Sequence, residues 1–545
     1  MKIKKKETYD LLKCPLCGNF DLAYKFTIHS HLVVQCQKCS FLMLNPQPSD
    51  KELEEIYSSD YFLGQRTEEE VERTIEMKRA TARYYLNIIK DYSKKPIKRL
   101  LEIGCGNGEF LLETKSQGID VVGIDVSSSA VKKAQEKLGD SDSVIYGTIE
   151  NIDFPENSFD ACILSDVLKH VRNPSDFLKS VHNLIKPNGL LFVSTPSLDG
   201  FYHKLLGERW MEFKPEHLFY FDSNTLQKLF LKTGYHCINI QPDKKIRNLE
   251  YIVQHFERFQ VRGLTFLIRC LIKIMPPAMR RYNIKLKSGN IIALAQPKKI
   301  SKRKKLSVVV PVHNEKPTFC KLMDSLIEKK IQGIDIEIII VESNSNDGTR
   351  QDVMSYRNHP YVKIILEKEP KGKGHAVRTG LKEAKGDFIL IQDADLEYDI
   401  NDYDALLAPL LNYEKLFVLG SRHMKNTNWK IRQFEKNPFL AFFMNLADRF
   451  FRVFFNILYR QNIKDPTTMY KVFNSECLKN MKLESNRFDF DWEILAKLVR
   501  SGYTPLEIPV NYVSRSFSEG KKIRLFRDPL TWVFALIKYR FIKLN

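Results

Sequence analysis

Short apolar runs that stop abruptly at a glycine or polar turn recur in both halves of this chain, and they constrain its fold more than any other feature. Leu100 to Ile103 runs into Gly104-Cys105-Gly106-Asn107-Gly108. "KLSVVVPVHNE", "DIEIIIVESNSNDGTR" and "DFILIQDADLEYD" repeat the arrangement further on. Runs this short, separated by helical stretches, read as strands buried on both faces, and strands alternating with helices build mostly parallel sheets. Ligands of such sheets bind beyond the carboxyl ends of the strands. The expected class is α/β, with chemistry in the turns that follow the strands.

At 545 residues the chain exceeds one hydrophobic core and predicts roughly three or four domains. No stretch of about 18 residues is free of charge, so no transmembrane helix is expected. The basic start MKIKKKETYD lacks the apolar core of a secretory signal. A net charge of +19 fits either a solvated surface or an anionic partner: nucleic acid, a phospholipid surface or phosphorylated substrates.

Four of the ten cysteines form two CxxC pairs, Cys14 with Cys17 and Cys36 with Cys39. Each pair places two thiolates on a tight turn, and the alternating segment between them reads as a hairpin. The four sulfurs then close a tetrahedron around structural zinc, with no open position for chemistry. This zinc ribbon is expected over residues 1–48, with His29 and His31 mid-strand as surface residues.

Residues 49–297 begin with a charged helical stretch from about 50 to 93, followed by a β-α-β pattern. The glycine turn lets backbone approach a ligand, and Asp125, ending the next strand, can accept hydrogen bonds from ribose hydroxyls. "SFDACILSDVLKHV" leaves Asp166 and His170 beyond its strand, "IKPNGLLFVSTP" gives another turn and strand, and "SGNIIALAQP" is the closing strand. This order resembles the class I S-adenosylmethionine-dependent methyltransferases, over about residues 95 to 240. The resemblance implies a Rossmann-like domain in which Glu102, Gly104 and Gly106 line the methionine side of S-adenosylmethionine. Asp125 holds its ribose, and Asp166 stands on the cofactor side. Relatives commonly carry Glu where this chain has Lys169, which removes a carboxylate from the motif. His170 is either a base beside the methyl acceptor or a histidine held for structure. "ERWMEFKPEHLFYFDSNTL" is expected in the acceptor wall, with His217 as the weaker base candidate.

"KKISKRKK", residues 298–305, reads as a basic linker to a second α/β unit, residues 306–545. In extended chain Asp393 and Asp395 point to the same side, and Ala394 leaves room between them. Magnesium or manganese prefers such oxygen ligands and bridges to substrate phosphates, the charge compensation a departing nucleotide diphosphate needs.

"PVHNE", "VESNSNDGT", "GKGHAVRTG", "QDADLEYD", "GSRH", "FDFDWEIL" and "YVSRSFSEGKKI" resemble the family-2 glycosyltransferases of the GT-A fold. The likeness is strongest to the dolichyl- or polyprenyl-phosphate sugar synthases. It implies a nucleotide pocket of Pro311, Glu315, Glu342 and Asp347, with Asp393 and Asp395 on the metal, where Glu397 joins them. Arg422, Arg515 and Lys521 or Lys522 match basic positions near phosphate. Asp491 or Glu493 is the base for a hydroxyl acceptor, while for an ionised phosphate acceptor Asp491 orients it. Ser343 replaces an acid of many relatives, so guanine and uracil both stay open as the donor base.

"NPFLAFFMNLADRFFRVFFNILYR", with Arg449, Arg452 and Arg460, reads as an interfacial helix or a buried core helix, and "PLTWVFALIKYRFIKLN" is similar in character. Together these readings give a bifunctional enzyme, peripheral on the cytoplasmic face of a membrane. Its second half moves a sugar from a nucleotide-diphosphate donor to polyprenyl phosphate or a glycan hydroxyl. Its first half methylates a sugar or glycolipid of the same pathway. A nucleic-acid partner is not expected, because no aromatic-basic RNA motif accompanies the ribbon.

Overall fold

A computed structural model describes residues 9–56, 68–250, scattered positions between 252 and 280, 282–299, 303–424, 432, 438–479, 481–515 and 527–543. The chain separates into two compact units, Met1–Ile300 and Ser301–Asn545.

In the first unit, strands β1 (Leu22–Ile28), β2 (His31–Cys36) and β3 (Leu42–Leu44) form an antiparallel ribbon. His29 and Ser30 make the hairpin turn in the left-handed region, with φ 43° and 72°. The expectation for the two histidines changes here: His29 lies in the turn, and His31 is buried with its Nε2 3.0 Å from Glu52. The charged stretch that follows resolves into helices Asp50–Ile56 and Glu68–Tyr92.

The main sheet is built from β4 (Arg99–Ile103), β5 (Asp120–Asp125), β6 (Val144–Tyr146), β7 (Phe159–Ser165) and β8 (Ile185–Pro196). The short strand β9 (Phe219–Tyr220) pairs instead with β3, tying the "HLFYF" segment to the ribbon. Strands β10 (Tyr235–Arg247) and β11 (Ile284–Pro297) complete the main sheet in the order β10-β11-β8-β7-β4-β5-β6. The pairs from β6 to β8 are parallel, whereas β11 and β10 run antiparallel. Leu101, Ile103, Cys162 and Leu164 share one apolar core with Cys14, Leu16, Cys36 and Phe41, so the ribbon is packed onto the sheet rather than hung from it.

The second unit has strands β12 (Lys304–Val312), β13 (Ile334–Glu342), β14 (Val362–Leu366), β15 (Phe388–Ile391), β16 (Phe417–Ser421), β17 (Lys471–Asn474) and β18 (Leu506–Pro509). β12 opens at Lys304, inside the run read as linker. The sheet order is β14-β13-β12-β15-β17-β16-β18, parallel from β14 to β15 and antiparallel where β17 inserts. Antiparallel insertion puts Lys471, the first residue of β17, at the edge where β15 ends, since Leu390 faces Val472.

Helices Pro438–Tyr459 and Arg527–Phe541 pack through Phe451 and Trp532, whose ring centroids lie 5.2 Å apart. The longer helix is two-faced. Phe451, Phe455 and Tyr459 are buried on one face, while Phe439, Phe442, Phe443, Leu446, Phe450, Val453 and Ile457 are exposed. No helix among the described residues is long and apolar enough to cross a membrane.

Candidate active sites

The ribbon holds its four thiols as a cluster: Cys14 Sγ lies 3.5 Å from Cys39 Sγ, and Cys17 Sγ 3.5 Å from Cys36 Sγ. All four sulfurs lie within 4.8 Å of one another, the only such cluster of metal-ligating groups among the described residues. Four converging thiols suit tetrahedral zinc.

At the carboxyl edge of the first unit's sheet, Glu102 is buried, and its Oε2 has no hydrogen-bond partner. Burial, reinforced by Glu109 and Asp125, pushes its carboxyl well above the usual range. Asp125 accepts hydrogen bonds from the backbone N–H groups of Gly106 at 2.8 Å and Ser127 at 2.9 Å. Gly104 has φ +73°, and a Cβ there would come within 2.4 Å of Val167 Cγ2, so only glycine fits. Asp166 takes hydrogen bonds from Lys169 at 2.9 Å and Lys245 at 2.6 Å. Despite burial, those two cations hold its carboxyl well below the usual range. His170 Nδ1 lies 2.8 Å from the Glu216 carbonyl oxygen, and burial, with the charge of Lys169, pulls the imidazole down to about 3. His217 packs edge-on against it at 5.0 Å.

In the second unit the ends of β12, β13 and β15 surround a cavity of about 1240 Å³. Asp393 and Asp395 both line it, each paired with a different cation. Lys373 Nζ lies 2.7 and 2.9 Å from the two oxygens of Asp393. Arg515 reaches Asp395 at 2.7 Å and Glu315 at 2.8 Å. Glu397 accepts from the Arg515 backbone N–H at 2.7 Å and from the Tyr512 hydroxyl at 2.9 Å. Burial, then the charges of Asp393 and Glu397, push Asp395 up to about 7 against the opposing pull of Arg515. Among the other expected nucleotide contacts, Pro311 lines the cavity. Glu342 accepts from the Ser345 N–H and pairs with Arg350 at 3.2 Å. Asp347 holds Thr349 and the Lys316 N–H. Arg422 forms a buried two-pronged pair with Asp465 at 2.6 and 2.8 Å, and its guanidinium lies 5.1 Å from the Tyr512 ring centroid. Asp491 faces Lys471 at 3.3 Å, whereas Glu493 turns inward to Lys497 and the backbone N–H of Ser485. Lys521 and Lys522 lie outside the described residues.

Residues 76–240 match the family described as "Methyltransferase domain", and residues 307–479 match "Glycosyl transferase family 2". The chain carries both domains. A dolichol-phosphate mannosyltransferase of Pyrococcus furiosus is 27% identical over 242 residues, covering 43% of this chain and 64% of the relative. A dolichyl-phosphate beta-glucosyltransferase of Dictyostelium discoideum is 27% identical over 251 residues, covering 43% of this chain and 74% of that protein. Among solved structures, an S-adenosylmethionine-dependent methyltransferase from Archaeoglobus fulgidus matches 46% of this chain and 100% of its own, at 19% identity and a TM-score of 0.29.

Several side chains of the glycosyltransferase cavity were not singled out by sequence reasoning. Lys373 stands in the quoted glycine run, but its partner, Asp393, is brought to it only by the sheet. Lys471, fully buried behind the lining residue Asp491, enters through the antiparallel strand β17. Arg432 and Asp448, 3.9 Å apart, line the same cavity. The carboxylates Asp393, Asp395 and Glu397 offer the hard oxygen donors that a magnesium or manganese ion takes. In the methyltransferase domain, the unpaired buried Glu102 oxygen fits the ammonium at the amino-acid end of S-adenosylmethionine.

Proposed function

We propose that the glycosyltransferase domain transfers a sugar from a nucleoside diphosphate to polyprenyl phosphate with inversion. The methyltransferase domain would methylate a sugar or glycolipid of the same pathway. The observation that carries the reading is the cavity beyond β12, β13 and β15, where Asp393, Asp395 and Glu397, with Lys373 and Arg515, meet apolar helices. Glu315, Glu342 and Asp347 belong to the nucleotide side. Asp393, Asp395 and Glu397 would hold a divalent ion, which would supply charge compensation for the departing nucleoside diphosphate. The acceptor phosphate, ionised at neutral pH, attacks the anomeric carbon from the opposite side and needs no strong base. Asp491, steadied by Lys471, orients it. Arg432 and Arg515 line the same cavity and offer guanidinium groups to phosphate.

Phe439, Leu440, Phe443 and Trp532 also line the cavity, so a lipid chain has an apolar path to the carboxylates. The exposed aromatic face of helix Pro438–Tyr459 supports peripheral attachment to the cytoplasmic face of a membrane, beside anionic headgroups. The test is incubation of purified protein with a panel of nucleotide sugars, offering polyprenyl phosphate and free oligosaccharides as competing acceptors. Sugar appearing on the lipid supports the reading. Transfer to saccharide hydroxyls alone rejects the lipid acceptor and makes Asp491 the base.

A further inference from the structure

Away from its carboxylates, the cavity of the second unit ends against a buried chain of hydrogen bonds with no part in the transfer described above. Ser343, the residue after β13, lines the cavity together with Val312 and His313. Its Oγ lies 2.6 Å from Glu367 Oε2, and Glu367 Oε1 lies 2.6 Å from His375 Nδ1. Ser343 and Glu367 are 4% and 9% exposed. Glu367 follows β14, and His375 stands in helix Lys373–Glu383, close after the lysine that pairs with Asp393.

These contacts fix the direction of each hydrogen bond. A carboxylate only accepts, so the Ser343 hydroxyl and the His375 Nδ1–H both donate to Glu367. The backbone of Ser343 is committed as well. Its N–H donates to the Val312 carbonyl oxygen at 2.9 Å, and its own carbonyl oxygen accepts from His313 Nδ1 at 2.9 Å. What Ser343 has left for the cavity is a lone pair of its hydroxyl. There it can accept a hydrogen bond and cannot donate one. In the sheet order β14-β13-β12-β15, Ser343 and Asp393 follow strands two places apart, roughly 10 Å at the usual strand spacing. A nucleoside spans such a distance, so one whose diphosphate lies at Asp393 can set the ring edge of its base at Ser343.

We propose that Ser343 reads the nucleobase of the sugar donor by accepting a hydrogen bond from a ring N–H, and that Glu367, steadied by His375, is the positioning residue that keeps the serine an acceptor. The inference rests on the nucleotide-sugar reading above. Uracil at N3 and guanine at N1 carry such a proton. Cytosine at N3 and adenine at N1 present a bare lone pair there, which would meet the serine's lone pair with no proton between them. A buried polar site rejects such a partner because its own group is left unpaired.

Calorimetric titration of the full chain with manganese present tests this, with UDP, GDP, CDP and ADP as probes and inorganic pyrophosphate as reference. UDP or GDP should bind about tenfold more tightly than CDP and ADP. Ser343→Ala should weaken that nucleotide about tenfold, while pyrophosphate affinity reports the fold. In Glu367→Gln, the His375 Nδ1–H keeps the amide oxygen, so the amide nitrogen turns to Ser343 and donates to it. The hydroxyl proton is then free to face the cavity, and the preference should move about tenfold toward CDP or ADP. Adding Ser343→Asp to Glu367→Gln puts an acceptor oxygen back and should return the preference, a reversal that a merely structural role for Glu367 would not give. Ser343→Ala carries the test if Glu367→Gln fails to bind pyrophosphate. Preference for UDP assigns uracil, and preference for GDP guanine. Equal binding of the four nucleotides, a wild-type preference for CDP or ADP, or a preference that the variants leave unchanged overturns the proposal. Wild-type protein that binds none of the four overturns the nucleotide-sugar reading itself, and this inference with it.

Discussion

Carboxylates at the strand ends of the two units, Asp125 in the first and Asp393 and Asp395 in the second, are held in opposite ways. In the first, Asp125 is satisfied by two backbone N–H groups, and Glu102 stands buried with one oxygen unpaired. In the second, Asp393 and Asp395 each face a cationic side chain, Lys373 and Arg515. Backbone donors are fixed, so Asp125 keeps its orientation and has lone pairs left for hydroxyl groups. An ammonium or guanidinium can leave when a stronger cation arrives, so the second arrangement is one that metal binding can rearrange. The same residue type at the same place in two parallel sheets therefore suits a neutral hydrogen-bonding ligand in one and a charged one in the other.

The hardest test of that contrast is Asp393→Asn. It removes a carboxylate of the proposed metal site while leaving a side chain of the same shape, and sugar transfer should fall by roughly a thousandfold. Binding of S-adenosylhomocysteine to the other domain should not change. Steady-state transfer rates, with and without a chelator, measure the first effect, and calorimetry the second. Turnover that survives both the variant and chelation would end the metal assignment.

Lys373→Met sharpens the same contrast from the cation's side. Without its ammonium, Asp393 is left partly buried and unpaired, so the metal-free protein should lose about 2 kcal/mol of stability, between the cost of breaking an exposed pair and that of breaking a buried one. Manganese should restore much of it, because the ion then has no competitor at that carboxylate. Thermal melts with increasing manganese read both effects. A variant as stable as wild type without metal would show the pair to be incidental.

Much of this arrangement could be read from sequence, because it follows from local pattern. The apolar runs marked strands β4, β12, β13 and β15, and the residues after them, Gly104 and Asp393, stand at strand ends as expected. The two CxxC pairs gave the thiol cluster by spacing alone. What stayed hidden is long-range pairing. Nothing near Lys471 shows that β17 will insert antiparallel beside β15 and set it against Asp491. The Lys245 partner of Asp166 arrives from a strand 79 residues away. The ribbon's merger with the sheet rests on β9, a strand of two residues with no periodicity to read.

A comparable effect is expected at the glycine turn. Gly104→Ala puts a Cβ 2.4 Å from Val167 Cγ2 at φ +73°, so the turn must shift. The cost is on the order of 2 kcal/mol, with weaker binding of S-adenosylhomocysteine because the turn no longer closes on its ligand. Gly118, also at positive φ but with no atom within 4 Å of its Cβ position, is the control: alanine there should carry the backbone cost alone and leave binding intact. Equal loss of binding at both positions would mean that the close approach at Gly104 is not part of the site.

The most specific prediction concerns acid. His170 is held neutral, with its pKa lowered from 6.5 to about 3 by burial and by Lys169. Above pH 6.5 the imidazole is neutral in folded and unfolded chains alike, so the full stability is present there. As the pH falls below that value, the unfolded chain binds a proton that the folded one refuses. Stability is lost progressively until the folded imidazole titrates near pH 3. At pH 5 the loss from this one residue is on the order of 2 kcal/mol. Denaturant midpoints of the first unit's transition, compared between pH 7.5 and 5, read it directly. His170→Asn, which cannot protonate, should flatten that slope while leaving the second unit's transition where it was. An unchanged slope in the variant would mean that the ring is not held neutral, and would return His170 to the field as a base for a hydroxyl acceptor.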